Sequence, residues 1–160
     1  MHQARIENLW AGWINRIMSE DHFNLQRFLT AQAPVYSTVL RELHDAYKRS
    51  HWMWYIFPQL RGLGFSSTAQ FYGLTTLDEA RAYLNHPVLG PRLVECTRIV
   101  VDAQAGSLNA IFGSPDDVKF CSSMTLFDLV SPNGVFDKAL ERWCQGRRDE
   151  RTIALTATPA

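Results

Sequence analysis

The sequence has few cysteines and no net charge, and each of these features argues against a class of protein. The three cysteines, Cys96, Cys121 and Cys144, are an odd number without CxxC spacing. Such a set argues against a disulfide framework and against a structural zinc site. We therefore expect reduced thiols and a cytoplasmic location, and the sequence predicts neither a metal site nor a cofactor.

The charges cancel, because 16 basic side chains stand against 16 acidic ones. The chain therefore has no net field to attract nucleic acid or an anionic membrane. No apolar run approaches the roughly 20 residues that a membrane-spanning helix needs, and the N-terminus lacks the apolar core of a signal peptide. We expect no membrane partner, and the sequence gives no strong signal for nucleic acid, so any such binding must be local.

The overall composition is that of one globular domain. At 160 residues, 46% apolar and 20% charged, a chain can bury roughly 70% of the surface that it exposes when unfolded. We predict an all-α fold of seven or eight helices. The expected organisation is an N-terminal amphipathic helical extension over residues 1–20, a single helical domain over 21–156, and a tail over 157–160.

The extension carries a stripe of apolar residues at the spacing of one helix face. The stripe consists of Ile6, Leu9, Trp10, Trp13, Ile14 and Ile17. It needs a partner surface, which could be the domain itself, another subunit or a membrane interface. Protein is favoured, because only Arg5 and Arg16 supply positive charge for a membrane. A monomer or a weak homodimer through residues 6–17 is expected.

Local signals predict where several helices of the domain begin and end. Thr76 and Glu79 form a capping box, Ser114 with Pro115 predicts the start of a helix that runs to about Val130, and Gly146 ends the next helix. Residues 52–57 are apolar on every side, so periodicity does not separate strand from helix there. A helix is favoured.

A first candidate site follows the second helix of the domain. Positive charge stands beside flat aromatic surface there, a combination that can stack a base and hold its phosphate. The competing interpretations are a buried tryptophan core, a solvated helix end and a structural histidine. The candidate ligand-binding residues of this segment are Lys48, Arg49, His51, Trp52, Trp54 and Gln59.

A second candidate site lies on the helix that follows Pro115. Asp116, Lys119, Ser122 and Ser123 share one narrow polar stripe, with Thr125 at its margin. The stripe faces either solvent or a polar pocket. Solvent is favoured, but Lys119, Ser122 and Ser123 join the candidate ligand-binding residues.

The loop Gly62-Leu63-Gly64 is an incomplete dinucleotide fingerprint, because the third glycine and the surrounding βαβ pattern are missing. It is interpreted as a loop whose glycines permit positive φ, or as an anion site formed with Arg61, Ser66 and Ser67. Established catalytic motifs are absent, so no catalytic residue is assigned.

From about His22 to Leu155 the chain resembles the uncharacterised family known as domain of unknown function 1810. The resemblance rests on four blocks: Leu25 to Phe28 with Ala31-Gln32, Lys48 to Leu60, Ala80 to Leu84 with His86 to Gly90, and Ile111 to Gly113 with Asp117, Lys119 and Ser122 to Phe127. It implies a mainly helical fold and no established activity, substrate or cofactor. The family is also distantly similar to helical proteins that hydrolyse N-glycosidic bonds to ADP-ribose or to riboflavin intermediates, at His51 to Met53 and after Lys119.

Two functions therefore compete. One is the binding of a small phosphate- or ADP-ribose-containing ligand, with N-glycosidase-like hydrolysis as an extension of it. The other is a protein-interaction module without catalysis that associates through its tryptophan-containing N-terminal helix.

Overall fold

Ten helices follow one another between residues 21 and 157, the part of the chain that this computed structural model describes. In chain order they are α1 (Gln26–Gln32), α2 (Tyr36–His44), α3 (Met53–Ile56), α4 (Ser67–Tyr72), α5 (Leu77–Asn85), α6 (Leu89–Asp102), α7 (Leu108–Phe112), α8 (Asp116–Val130), α9 (Val135–Trp143) and α10 (Glu150–Ala157). Within these residues, β structure is limited to an isolated bridge between Leu60 and Leu74. The predicted mainly helical fold is confirmed, and so is the helix at residues 53–56.

The predicted number of helices was too low, because two short helices were missed. α4 has six residues and α7 has five, which is too short to show a helical period. Each is capped by a serine: Ser66 Oγ accepts a hydrogen bond from Ala69 N, and Ser107 Oγ accepts one from Ala110 N. The apolar stripe at residues 6–17 lies outside the described residues.

The centre of the fold is α8, whose side chains are buried around most of its circumference. Phe120, Met124 and Phe127 are all fully buried, and α8 packs against α5, α7, α9 and α10. The Phe120 ring meets Phe57 and Phe112 at centroid distances of 5.1 Å each. Aromatic pairs at this spacing add to the stability gained by burying apolar area, and they fix α3 and α7 against α8.

Several helix ends agree with their local signals. Thr76 Oγ1 accepts from Glu79 N at 3.1 Å, as the capping box predicts. The Glu79 carboxylate, however, accepts from Thr75 N and pairs with Arg27 at 3.0 Å rather than closing the box on Thr76. α8 ends at Val130 as predicted.

α5 and α6 approach each other closely at Gly90. A Cβ atom at this position would stand 1.9 Å from the carbonyl oxygen of Leu84. Since Leu84 lies in α5 and Gly90 in α6, a side chain at position 90 would push the two helices apart. Glycine is therefore required for the packing of this pair.

The expectation of three reduced thiols was wrong. Cys121 on α8 and Cys144 at the end of α9 form a disulfide with Cα atoms 6.0 Å apart, and Cys96 remains free and buried. A separation of 23 residues carries no local signal of pairing, because the contact depends on how α8 and α9 pack. No helix within residues 21–157 has the length and apolar character that crossing a membrane requires.

Candidate functional site

A small cleft opens between α3, α4 and α8. Including its mouth it holds about 260 Å³ of empty space, but its enclosed part holds only about 10 Å³. The enclosed part has room for about one water molecule. The lining residues are Met53, Trp54, Phe57, Gln59, Ala69, Tyr72, Gly73 and Lys119. The cleft therefore combines three aromatic rings with one ammonium group and one amide.

Lys119 and Trp54 face each other across the cleft. The Lys119 ammonium lies 5.2 Å from the centre of the Trp54 ring, within the range of a cation–π interaction. The indole N–H of Trp54 is buried and has no hydrogen-bond partner among the described residues. A buried donor without an acceptor is costly, so the Trp54 N–H is an unsatisfied polar group in the wall of the cleft.

Two lysines share one carboxylate at the edge of the cleft. Lys48 Nζ lies 2.8 Å from Asp116 Oδ2, and Lys119 Nζ lies 3.8 Å from Asp116 Oδ1. The Lys48 ammonium also lies 5.1 Å from the centre of the Trp52 ring. Two ammonium groups around one carboxylate leave this group of three with a net positive charge, which favours an anionic ligand.

Buried Glu42 holds the segment that leads into α3. Its carboxylate accepts from Arg49 N at 2.6 Å, Ser50 N at 2.9 Å and Trp52 Nε1 at 3.2 Å, and also from Ser50 Oγ. Burial acts to raise the pKa of Glu42, but these hydrogen bonds outweigh burial and lower the pKa below its ordinary value. The ionised carboxylate therefore fixes the backbone that presents Trp54.

The opposite wall is fixed by backbone pairing. Leu74 N donates to the carbonyl of Gln59 at 3.0 Å, and Arg61 N donates to the carbonyl of Leu74 at 2.8 Å. A Cβ atom at Gly73 would stand 2.8 Å from the Cα of Arg61, so only glycine permits this approach. The pairing places Gln59 beside the end of α4, where Tyr72 completes the aromatic lining.

Residues 22–156 match the family described as "Protein of unknown function (DUF1810)". The chain belongs to this family. Among solved structures, the conserved hypothetical protein Rv1873 from Mycobacterium tuberculosis is 53% identical, with a TM-score of 0.85 over 87% of this chain and 100% of that one. No curated protein matches.

Three of the predicted ligand-binding residues of this DUF1810 protein come together. Trp54, Gln59 and Lys119 line the cleft, although they belong to two segments about 60 positions apart. Lys48 stands next to them through Asp116. It is not the solvated helix end of the competing interpretation, because its side chain is only 7% exposed.

Other predicted residues lie away from the cleft. Arg49 is exposed and pairs with Asp45 at 3.0 Å, and His51 is also exposed. Trp52 is 1% exposed and belongs to the core through Phe57 and Phe112. The structure therefore separates the two tryptophans into a buried one and one that lines the cleft.

The serines of the polar stripe face the protein interior, so the expectation that this stripe faces solvent was wrong for them. Ser122 Oγ donates to Asp149 Oδ2 at 3.1 Å, and Thr125 Oγ1 accepts from Asp149 N at 2.8 Å. Ser123 is fully buried, and its hydroxyl has no partner among the described residues. The C-terminal segment covers part of the stripe, which sequence periodicity does not reveal.

Sequence reasoning missed Tyr72 and Phe57 as lining residues. The only local signal for Tyr72 was an aromatic pair, Phe71-Tyr72, directly before Gly73. The loop at Gly62 serves as a turn, with φ of +103° at Gly62. Across residues 21–157 no group of three His, Cys, Asp or Glu side chains is placed to hold a metal ion.

Proposed function

We propose that this protein binds a small phosphate-bearing ligand of nucleotide type, ADP-ribose-containing molecules included, at the cleft between Trp54 and Lys119. The observation that carries the proposal is the ammonium of Lys119 above the face of Trp54. An ammonium group binds phosphate as a point charge, and an indole face stacks a base or another flat ring.

The size of the cleft limits what part of a ligand enters it. Pockets for drug-sized ligands hold about 300–1,000 Å³, whereas the enclosed part of this cleft holds about 10 Å³. Only a water-sized group fits inside the cleft as it stands, so the phosphate or ring of a ligand would bind at its mouth. The remainder of a larger ligand would lie across the mouth, near the exposed side chains of α4.

A thermal-shift titration with ADP-ribose, AMP and inorganic phosphate tests the proposal. A ligand at about 100 times its dissociation constant adds about 2.7 kcal/mol of stability, or roughly 5–10 °C in Tm for a domain of this size. Lys119→Ala should weaken binding about ten- to a hundredfold. Lys138→Ala, which removes an exposed lysine on α9, is the matched control and should bind like wild type.

His51→Ala belongs in the same titration. His51 remains a predicted ligand-binding residue, and its exposed position on the chain before α3 would allow contact with a part of the ligand outside the cleft. His51→Ala should keep its Tm within a few degrees in the absence of ligand, since changes at exposed positions usually cost about 0.5 kcal/mol or less. Lys119→Ala should do the same, because its partner Asp116 keeps the ion pair with Lys48. Equal shifts for wild type and Lys119→Ala would remove the cleft from the binding site.

A hydrolytic role rests on a separate observation, the carboxylate of Asp116 beside Lys119. Cleavage of an N-glycosidic bond develops positive charge on the sugar. The Asp116 carboxylate would stabilise that charge once a bound phosphate takes Lys48 and Lys119 as its partners, because until then the two ammonium groups neutralise the carboxylate. We propose N-glycosidase-like hydrolysis as the catalytic form of this function. Release of free base from a ribosylated substrate, measured by chromatography, should be lost in Asp116→Asn. Release at the wild-type rate in that variant would exclude Asp116 from the chemistry.

We also propose the cytoplasm as the location of the protein. The disulfide between Cys121 and Cys144 is unusual for this location, because reducing compartments keep most thiols reduced. Thiol alkylation in intact cells, followed by mass spectrometry, would show which state is present there. Alkylation of Cys121 and Cys144 supports the proposed location, and their complete resistance contradicts it.

A further inference from the structure

An open groove of about 820 Å³ lies over the disulfide that joins α8 to the end of α9. Cys121 and Cys144 both line this disulfide groove, and each is half-buried rather than enclosed in the core. The groove shares no lining residue with the Trp54–Lys119 cleft. Because one turn of helix has about 3.6 residues, Cys121 lies roughly 200° around α8 from Lys119. The disulfide groove is therefore a separate site of the size that holds small ligands.

Charged side chains surround the disulfide. The groove is lined by three arginines and two carboxylates, which are Arg147, Arg148, Arg151, Asp149 and Glu150. One arginine and one carboxylate already have partners from the protein. Arg148 pairs with buried Asp128 at 2.5 Å, and the Asp149 carboxylate accepts hydrogen bonds from Ser122 and Thr152.

The other three charged groups are left for a ligand. Arg147, Glu150 and Arg151 are exposed, and none of them forms an ion pair within residues 21–157. Trp143 adds a flat ring to the lining, and its indole N–H is held by the carbonyl of Val100 at 2.8 Å. The groove therefore presents two guanidinium groups and one carboxylate beside an accessible disulfide.

These groups are complementary to a small peptide that carries two carboxylates and one ammonium group. A guanidinium group binds a carboxylate through paired hydrogen bonds, and the remaining carboxylate of the groove can pair with the ammonium group. If such a peptide also carries a thiol, it can react at this site, because a thiolate attacks a disulfide sulfur directly. Glutathione is a peptide with this set of groups.

Three other contacts hold the chain after α9 against α8 when the disulfide is open. Asp149 N donates to Thr125 Oγ1 at 2.8 Å, and Ser122 Oγ donates to Asp149 Oδ2 at 3.1 Å. Arg148 pairs with Asp128, which also lies on α8. Because these contacts keep the two cysteines near each other, the bond can open and form again.

We propose that the disulfide groove binds a small thiol peptide of the glutathione type and exchanges disulfide bonds with it. The ligand thiolate attacks Cys144 Sγ, because Arg147, whose N–H donates to the Cys144 carbonyl at 3.0 Å, holds a ligand carboxylate beside this cysteine. A bond forms between the ligand sulfur and Cys144 Sγ, and the bond to Cys121 breaks. Cys121 leaves as a thiolate and takes up a proton.

A second ligand thiolate completes the exchange. It attacks the ligand sulfur of the mixed disulfide, and Cys144 leaves as a thiolate that is then protonated. Two ligand thiols have become one ligand disulfide, and the protein disulfide has become two thiols, so two electrons pass from the ligand to the protein. The reverse reaction, with the oxidised peptide, restores the bond between Cys121 and Cys144.

The rate at which reduced glutathione opens the disulfide of the full chain tests the proposal, with alkylation and mass spectrometry as the readout. The double variant Arg147→Ala and Arg151→Ala should react about three- to tenfold more slowly than wild type, because exposed charge pairs each contribute modestly. With neutral 2-mercaptoethanol it should react at the wild-type rate. The matched control is the double variant Arg41→Ala and Arg81→Ala, which removes the same charge from exposed positions on α2 and α5.

Two measurements on the wild type do not depend on a variant. Added salt should slow the reaction with glutathione more than the reaction with 2-mercaptoethanol, since salt screens exposed charges. Peptide mapping after an acid quench should find the mixed disulfide on Cys144. Equal glutathione rates for wild type and the Arg147→Ala and Arg151→Ala variant would overturn the proposal, as would a mixed disulfide on Cys121. A chain that forms no bond between Cys121 and Cys144 on oxidation would overturn it as well.

Discussion

Replacing Glu42 should destabilise the protein and disturb the cleft at the same time. The carboxylate is 4% exposed and holds Arg49, Ser50 and Trp52 together. Glu42→Ala leaves the indole N–H of Trp52 buried without an acceptor, and it also removes the acceptor of Arg49 N and Ser50 N. An unpaired buried donor costs about 1–3 kcal/mol, and with the packing lost beside it we expect about 2–4 kcal/mol.

The loss corresponds to a fall in Tm of roughly 5–15 °C for a domain of this size. Glu42→Gln keeps an acceptor for Trp52 but replaces charge-assisted hydrogen bonds with weaker neutral ones, so it should cost about 1–2 kcal/mol. Urea unfolding followed by circular dichroism gives both values. If the Glu42→Gln variant were as stable as wild type at pH 7, the charge of Glu42 would not contribute to stability and the reasoning would be refuted.

The pH dependence provides an independent check. Since the pKa of Glu42 is lowered in the folded protein, its ionised form stabilises the fold above the unfolded value near 4.5. That contribution is lost as the pH falls through the lowered folded-state pKa. The stability difference between wild type and Glu42→Gln should therefore be constant near neutral pH and shrink in acid. A stability difference that grows in acid would contradict the lowered pKa of Glu42 in the folded protein.

The remaining predictions concern packing and thiols. Gly90→Ala should destabilise by about 1–3 kcal/mol or more, because its Cβ would meet the Leu84 carbonyl at 1.9 Å; an unchanged urea midpoint would show that α5 and α6 can separate freely. Cys144→Ser, which opens the bond to Cys121, should cost about 3 kcal/mol for a 23-residue separation, and thermal melts equal to wild type would contradict this. Burial raises the pKa of the Cys96 thiol to about 12, so Ellman's reagent should find one thiol per chain only after denaturation.

Local signals in the sequence predicted the helices and several of their ends. The capping box at Thr76 and the end of α8 at Val130 are set by residues adjacent in sequence, which is why they could be predicted. α4 and α7 were missed because a helix of five or six residues repeats its apolar pattern barely once.

The candidate site was predictable in part. Residue chemistry selected Trp54, Gln59 and Lys119, which line one cleft. It did not separate them from Ser122 and Ser123, because whether a polar residue on a helix meets solvent depends on which later segment covers it. Here the segment that starts at Asp149 covers Ser122, and no local pattern encodes that contact.

The proposed phosphate-bearing ligand contacts Trp54 and Lys119. The most direct measurement follows the indole N–H signals in a two-dimensional NMR spectrum during titration with ADP-ribose, with Trp54→Phe used to assign Trp54. The Trp54 signal should shift in proportion to binding. The signal of Trp143, whose N–H donates to the Val100 carbonyl at 2.8 Å, should stay in place. A shift of Trp143 alone, or no shift of Trp54 at saturating ADP-ribose, would contradict the account.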